Sequence, residues 1–185
     1  MIGALVLVLF GYFAGGIPFG VILARWKGVD IRAHGSGNIG ATNVTRVLGA
    51  KLGAAVLLLD AAKGALPTWY ALHHTSDPWL VIATGAATII GHCFSPFLEF
   101  TGGKGVATAT GVFLVLAPRE LAIAIGVFLA VLAWKRVPAL GSLAAIATIA
   151  GLMIYRGDTW MTVLAVGTLA LLVYTHRSNL AKLTS

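Results

Sequence analysis

Three short stretches of this 185-residue sequence combine glycine with a nearby basic residue. The string at 35–46, GSGNIGATNVTR, ends in Arg46, and residues 102–105 place Lys104 among three glycines. Gly141 and Ser142 follow two further basic residues. Glycine lets backbone N–H groups approach an anion closely, and a basic side chain adds positive charge. We therefore predict that these stretches bind phosphate groups.

Neither glycine string is a nucleotide-binding motif. Residues 35–40 match G-x-G-x-x-G, and Asp60 lies twenty residues beyond Gly40, but the dinucleotide motif requires a preceding strand. A long apolar stretch precedes the string here. The residue after Lys104 is glycine rather than Ser or Thr, so residues 102–105 are not a P-loop. The two strings are expected to share one property with those motifs, which is that their backbone N–H groups can bind an anion.

The elements that carry these strings must lie in a membrane. The chain is 58% hydrophobic and 10% charged, with a mean hydropathy of +0.92. Soluble domains carry about 25% charged residues, and disordered chains are poor in apolar residues, so both classes are excluded. We predict one polytopic membrane domain over residues 1–185. Its only cysteine, Cys93, excludes an intrachain disulfide and a cysteine-based metal site.

Seven apolar segments are candidates for membrane-spanning helices, which need about 20 residues each. They lie at 2–24, 47–72, 79–97, 106–117, 121–134, 139–155 and 159–175. No basic residue precedes Arg25, so the first segment is expected to be a retained span rather than a signal peptide. The fourth and fifth segments are short and are separated by residues 118–120. One re-entrant hairpin is therefore an alternative to two crossings there.

The distribution of charge orients the predicted helices. With the N-terminus outside, Arg119 and Arg156 fall on the outer side and Lys63 lies within the second segment. Ten other basic residues fall on the cytoplasmic side, as the positive-inside rule requires. These are Arg25, Lys27, Arg32, Arg46, Lys51, Lys104, Lys135, Arg136, Arg177 and Lys182. We therefore predict an all-α integral membrane protein with seven transmembrane helices, some short or broken, and a cytoplasmic C-terminus.

This orientation brings the glycine strings to one face. The second, fourth and sixth helices would begin at the cytoplasmic side, and helix N-termini attract anions. His176 and Asn179, in the tail, would join them there. The net charge of +7 is thus interpreted as loop charge that orients the chain and attracts anionic lipid or substrates, not nucleic acid. We predict a cytoplasmic site for phosphate groups at the membrane surface.

Two pairs of ionisable residues are expected behind this site. Asp60 and Lys63 are spaced i,i+3 within the second segment, and a structural ion pair is the simplest interpretation. His92 and Glu99 could share a helix face near the inner end of the third segment, although Pro96 disturbs that helix.

Five strings together resemble a known family. They are GSGNIGATNVTR at 35–46, DAAKG at 60–64, HCFSPFLEFTGGKGVATATG at 92–111, the Gly141 and Ser142 pair, and HRSNLAKL at 176–183. In this order they resemble the acyl-phosphate-dependent glycerol-3-phosphate acyltransferases of bacteria, the PlsY family. The resemblance covers nearly the whole chain, and the first and third strings are the most specific.

The resemblance implies an enzyme of the bacterial inner (cytoplasmic) membrane whose active site faces the cytoplasm. Such an enzyme moves a fatty acyl group from acyl phosphate to the sn-1 hydroxyl of glycerol 3-phosphate. The products are lysophosphatidic acid and phosphate, in phospholipid synthesis, and neither acyl-CoA nor acyl carrier protein is the direct donor. The expected partners are glycerol 3-phosphate, acyl phosphate and membrane lipid, with no cofactor, metal or nucleic acid. The oligomeric state stays open.

The resemblance also indicates the site residues. We expect Ser36, Arg46, Lys104 and His176 to act in catalysis. The glycine strings and their basic residues are expected to hold the two phosphates, with GGKG at glycerol 3-phosphate. The expected substrate-binding residues are Gly37, Asn38, Ile39, Gly40, Ala41, Thr42, Asn43, Gly102, Gly103, Gly105, Ser142 and Asn179.

The identity of a general base is open. Many glycerolipid acyltransferases use His and Asp five positions apart, but no histidine of this chain has Asp at that spacing. Our hypothesis is that no side chain is an essential base, because acyl phosphate carries phosphate oxygens that can accept the hydroxyl proton. His176 is the main rival as base.

A transporter of a small phosphorylated anion is the alternative function. Short or broken helices with glycine-rich starts also surround transported anions. Asp60 and Lys63 would favour this alternative, whereas the absence of an inverted repeat and the gathering of donors on one face oppose it. A structural scaffold would not need donor-rich loops and is the poorer third option.

Overall fold

The computed structural model describes the backbone of residues 2–184 and the side chains of residues 3–181. Lys182, one of the expected cytoplasmic charges, therefore lies outside the described side chains. The described chain is all-helical, with no strand. The helices are α1 (Ile2–Gly16), α2 (Phe19–Trp26), α3 (Ala41–Leu48), α4 (Ala50–His74), α5 (Pro78–Cys93), α6 (Val106–Leu116), α7 (Pro118–Lys135), α8 (Pro138–Arg156), α9 (Thr159–Thr175) and α10 (Arg177–Thr184).

The first predicted span is broken. Residues 2–24 were expected to form one helix, but α1 ends at Gly16 and α2 begins at Phe19. Pro18 has no backbone N–H and disfavours helical geometry in the residue before it, so the break falls at Ile17 and Pro18. The carbonyl of Ile17 is satisfied instead by the ammonium of Lys63, at 2.6 Å.

The second predicted span also differs from the expectation. The long helix begins at Ala50 rather than at residue 47, and the short helix α3 precedes it. Gly49 separates the two helices with a φ of +90°, a conformation that favours glycine. The expected glycine-rich loop is therefore shorter than predicted, because its last residues, 41–43, form the first turn of α3.

Two predicted span boundaries in the middle of the chain differ from the structure: the end of the third span and the start of the fifth. Helix α5 ends at Cys93, and Ser95 caps a separate 3-10 turn at Pro96–Leu98, so the third predicted span is shorter than 79–97. The last predicted spans match α8 and α9. Helices α6 and α7 are distinct and only Ala117 lies between them, because Pro118 starts a new helix.

Glycines let two helix pairs approach closely. In α1, Gly11 and Gly15 lie against Thr84 and Thr88 of α5, and the backbone of Thr88 occupies the space that a Cβ on Gly15 would need. In α6, Gly111 lies against the backbone of Ala61 in α4 in the same way. Small residues at helix contacts are the usual basis of packing within membranes.

The contacts also give the helix directions. Gly11 and Gly15 meet residues of rising number in α5, so α1 and α5 run the same way. The Trp79 and Trp160 rings meet at the starts of α5 and α9. Helices α7 and α8 are antiparallel, because Phe128 lies beside Gly141 and Arg156 pairs with Glu120. Helix α5 is antiparallel to α4, because His92 lies near Asp60 and Gly85 lies near Thr68. It is also antiparallel to α6, because Cys93 lies near Gly105 and Gly85 lies near Val112. Helices α1, α5, α7 and α9 thus run in one direction, and α4, α6 and α8 run in the other.

Three helical stretches of the described chain are long and apolar enough to cross a membrane. These are Gly3–Trp26, Pro78–Leu98 and Pro138–Arg156. Helices α6 and α9 are apolar but shorter. This finding concerns length and composition only.

Gly111→Ala should destabilise the protein, because the new methyl group would collide with the backbone of α4. We expect a loss of about 1–3 kcal/mol, the usual range for overpacking, seen as a lower midpoint of thermal unfolding in detergent. Gly126→Ala is the matched control, since nothing lies within 4 Å of its Cβ position. Equal midpoints for the two variants would contradict close α4–α6 packing.

Candidate active site

One cavity of about 730 Å³ opens where α3, α6 and α8 begin. It brings together all four expected catalytic residues and most of the expected substrate-binding residues, although these come from distant parts of the chain. The expected residues that line it are Ser36, Asn38, Gly40, Ala41, Thr42, Asn43, Arg46, Lys104, Gly105, Ser142, His176 and Asn179.

Four expected substrate-binding residues do not line the cavity. Ile39 is buried in an apolar cluster with Val21 and Val44, and Gly37 forms the turn before it. Gly102 and Gly103 lie against α5, where a Cβ would meet the backbone or ring of His92. The N–H of Gly103 donates to the His92 carbonyl at 3.0 Å. These two glycines therefore allow the loop to pack on α5, and they do not line the space open to a ligand.

Three helix starts face the cavity without side-chain caps. The N-cap residues are Gly40 for α3, Gly105 for α6 and Val137 for α8, and no side chain bonds to the N–H groups of their first turns. At the opposite end, the starts of α5 and α9 are capped by Asp77 and Asp158, whereas the start of α7 has no side-chain cap. The first N–H groups of a helix lack partners within it, so uncapped starts offer donors to an anion.

The side chain of Asn43 fixes the loop that carries Ser36. Its amide nitrogen donates to the carbonyls of His34 and Asn38, at 3.0 and 2.9 Å. Its oxygen accepts from the N–H of Ser36 at 2.8 Å. Asn43 is 2% exposed, and these bonds use both its amide groups. Its role in the described structure is therefore to position the loop.

Lys104 and Asn179 meet at the mouth of the cavity. The ammonium of Lys104 donates to the side-chain oxygen of Asn179. Thr175 donates to the backbone carbonyl of Lys104 at 3.1 Å and so ties the end of α9 to the start of α6. Gly105 follows with a φ of +84°, which turns the chain into α6.

His176 lies between α9 and α10 and is 3% exposed. Its Nδ1 donates to the Leu172 carbonyl at 2.8 Å, which leaves Nε2 as an acceptor in the neutral ring. Burial, foremost, and the charge of Lys104 lower the pKa of His176, while the bond to Leu172 opposes them. The neutral ring is therefore favoured, and it protonates at a lower pH than an ordinary histidine does.

Three other expected residues that line the cavity differ in their exposure and hydrogen bonds. Arg46, on α3, is exposed and has no acidic partner among the described residues. The hydroxyl of Ser142 donates to the Pro138 carbonyl at 2.9 Å, within the first turn of α8. Ser36 is exposed at the edge of the cavity.

Asp60, Lys63 and His92 form a buried cluster at the cavity wall. Lys63 Nζ lies 2.8 Å from Asp60 Oδ1, so the expected ion pair forms. His92 Nδ1 lies 3.7 Å from the same oxygen. The expected pairing of His92 with Glu99 is wrong, because α5 ends at Cys93 and Glu99 is exposed beyond it with a φ of +53°.

The other half of the cavity is apolar and was not predicted from the sequence. It extends between α6, α7 and α8. Ordinary apolar patterning in a membrane helix does not distinguish a cavity wall from a helix contact, so no signal marked these residues. They include Phe113, Leu121, Ala124, Phe128, Ala145, Ile146 and Ile149.

Comparison with known proteins agrees with this geometry. The family model for glycerol-3-phosphate acyltransferase matches residues 5–185. A glycerol-3-phosphate acyltransferase of Myxococcus xanthus is 53% identical over 181 residues, covering 96% of this chain and 94% of its own. One of Aquifex aeolicus is 42% identical, covering 97% and 95%.

Solved structures give the same result. The chain is similar to the crystal structure of PlsY (YgiH), an integral membrane glycerol 3-phosphate acyltransferase, in its glycerol 3-phosphate form. The TM-score is 0.95 at 41% identity, covering 98% of this chain and 92% of that one. The lysophosphatidic acid form gives a TM-score of 0.93 at 40% identity, with the same coverage.

The fold and the site thus define a membrane-embedded acyltransferase. The chain belongs to the glycerol-3-phosphate acyltransferase family, and within it to the PlsY type. Membership in an enzyme family favours acyl transfer over the transporter alternative.

Proposed function

We propose that this protein transfers a fatty acyl group from acyl phosphate to the sn-1 hydroxyl of glycerol 3-phosphate. The hydroxyl oxygen attacks the acyl carbonyl carbon, and the bond between that carbon and the phosphate oxygen breaks. The products are lysophosphatidic acid and inorganic phosphate. Family membership supports the acceptor, since the named relatives are glycerol-3-phosphate acyltransferases.

The observation that carries this proposal is the division of the cavity into two halves. One half is surrounded by basic side chains and uncapped helix starts, and the other is lined by apolar residues of α6, α7 and α8. Both proposed substrates carry phosphate, and one also carries a long acyl chain. A single cavity with these two halves can hold the phosphates and the acyl chain side by side, which orients the two reactants.

The roles follow from the charges and donors. Lys104 and Arg46 neutralise phosphate charge, and the N–H groups at the starts of α3 and α6 bond to phosphate oxygens. Ser36, held at the cavity edge by Asn43, and Ser142 supply hydroxyl groups. Asn179 positions Lys104.

The donor is tested by supplying glycerol 3-phosphate with palmitoyl phosphate, palmitoyl-CoA or palmitoyl-acyl carrier protein to the purified protein in detergent. Of the three donors, only palmitoyl phosphate should give lysophosphatidic acid and released phosphate. Lys104→Met should lower kcat/KM by about 100-fold, the scale of lost electrostatic stabilisation. Equal turnover of the thioesters, or no turnover of any donor, would contradict the proposal.

We further propose that the hydroxyl proton passes to an oxygen of acyl phosphate, so that no side chain is an essential base. His176 is the rival acceptor, because its Nε2 is unprotonated and the ring lines the cavity. In the proposed mechanism His176 only orients the hydroxyl by accepting its hydrogen bond.

His176→Gln and His176→Ala test these two assignments in single-turnover experiments at saturating substrates. Gln retains a hydrogen-bonding side chain but no basic nitrogen, so we expect a loss of less than about tenfold in Gln and a larger loss in Ala. A general base contributes about 100- to 10,000-fold. A loss of that size in both variants, with unchanged glycerol 3-phosphate binding, would identify His176 as the base.

We also propose seven membrane crossings, with the cavity at the cytoplasmic side. The alternating helix directions support this number. Aromatic residues of the kind found at membrane interfaces occur where helices end. At the cavity end Lys27 lies 4.8 Å from the Trp26 ring and Lys135 lies 3.7 Å from the Trp134 ring. At the opposite end the Trp79 and Trp160 rings are 4.2 Å apart.

Single cysteines in a Cys93→Ser background test this orientation with a membrane-impermeant thiol reagent. In right-side-out cells Ser76→Cys and Gly157→Cys should react, because both lie between helices at the end opposite the cavity. Lys27→Cys and Arg136→Cys should react only after the cells are permeabilised. Labelling of Arg136→Cys together with Ser76→Cys in intact cells would mean that α6 and α7 together cross the membrane an odd number of times, which contradicts the proposed topology.

A further inference from the structure

The cavity wall contains two polar groups that the phosphate-binding elements do not use. Asp60 in α4 and His92 in α5 are only 2% and 4% exposed, yet both line the cavity. His92 Nδ1 has no hydrogen-bond partner among the described residues, and its distance of 3.7 Å from Asp60 Oδ1 is too long for a direct bond. Asp60 Oδ1 faces the ammonium of Lys63 at 2.8 Å and keeps a lone pair with which it can accept a second hydrogen bond. Buried polar atoms in native proteins are nearly always paired, so the unpaired ring nitrogen of His92 at a cavity points to a ligand.

The chemistry of this pair differs from that of the cavity mouth. Asp60 is the only acidic residue among the described residues that line the cavity, whose other charged side chains are basic. A carboxylate repels phosphate but accepts hydrogen bonds from hydroxyl groups. The ammonium of Lys63, 2.8 Å from Asp60, balances the carboxylate charge, so a bound anion nearby is not repelled.

The position of the pair fits the middle of the substrate. The His92 ring lies against Gly103, one residue before Lys104, so the pair adjoins the proposed phosphate site. Asp60 and His92 belong to α4 and α5, whereas the apolar half of the cavity lies among α6, α7 and α8. The reacting C1 hydroxyl must face the acyl donor on that apolar side. The C2 hydroxyl can then face α4 and α5.

We propose that Asp60 and His92 bind the C2 hydroxyl of glycerol 3-phosphate, the hydroxyl that the reaction leaves unchanged. This inference rests on the proposed function. Asp60 Oδ1 accepts the hydrogen bond of the hydroxyl, and a His92 ring protonated at Nδ1 donates to its oxygen. The two side chains thereby select a glycerol phosphate over a phosphate ester that carries only the terminal hydroxyl.

The test compares glycerol 3-phosphate with 3-hydroxypropyl phosphate, which lacks only the C2 hydroxyl. The wild type should prefer glycerol 3-phosphate in kcat/KM. Asp60→Asn should lower kcat/KM for glycerol 3-phosphate by about 10- to 100-fold, the range for a hydrogen bond to a charged group. For the analogue it should change by no more than about twofold.

His92→Leu provides a second variant that leaves the ion pair of Asp60 and Lys63 intact. It should also reduce the preference for glycerol 3-phosphate over 3-hydroxypropyl phosphate. If Asp60→Asn fails to fold, His92→Leu tests the proposal without it. Thr84→Ala is the matched control, since Thr84 is a buried polar residue of α5 that does not line the cavity. Its preference between the two substrates should equal that of the wild type.

Three outcomes overturn the assignment: equal losses on both substrates in Asp60→Asn, an unchanged preference in His92→Leu, or a wild type without preference. Equal losses on both substrates would indicate a structural role or a role at the reacting hydroxyl. A wild type that acylates neither substrate would contradict the proposed function itself, which separates that failure from a failure of this inference.

Discussion

Unpaired N–H groups at the start of a helix need hydrogen-bond partners, and the interior of an apolar protein holds little water that could serve as one. Here three helices, α3, α6 and α8, begin around one cavity without side-chain caps. Several donors and partial positive charges therefore converge on a space bordered by Lys104 and Arg46. A phosphate group satisfies such a site because its oxygens accept several hydrogen bonds at once and carry the opposite charge.

Much of the remaining structure brings those helix starts together. Gly64 and Gly111 set the close contact of α4 and α6, and Gly103 lets its loop rest on α5. Asn43 closes the turn that leads into α3. None of these residues needs to touch a substrate to matter for binding, because each fixes the position of a backbone segment that does face the cavity. Glycine strings in this chain thus serve packing as well as the proposed anion binding.

The sequence predicted which residues line the cavity better than it predicted their local structure. Glycine and basic residues marked all three helix starts at the cavity, because these residue types are visible in a string. The break at Pro18 was missed because apolar residues continue on both sides of it. Helix α3 was missed because two of its first three residues are polar and all three were assigned to the glycine-rich loop. The placement of Gly102 and Gly103 on His92, and of Asp60 at the cavity wall, depends on contacts between segments far apart in sequence.

We infer that the uncapped starts of α3 and α6, together with Lys104, hold the phosphate of the acceptor. A crystal structure of this protein with glycerol 3-phosphate tests it most directly. We expect phosphate density within hydrogen-bond distance of Lys104 Nζ and of backbone N–H groups in the first turn of α3 or α6. Phosphate density bound only to exposed arginines outside the cavity, with those N–H groups facing water, would contradict it.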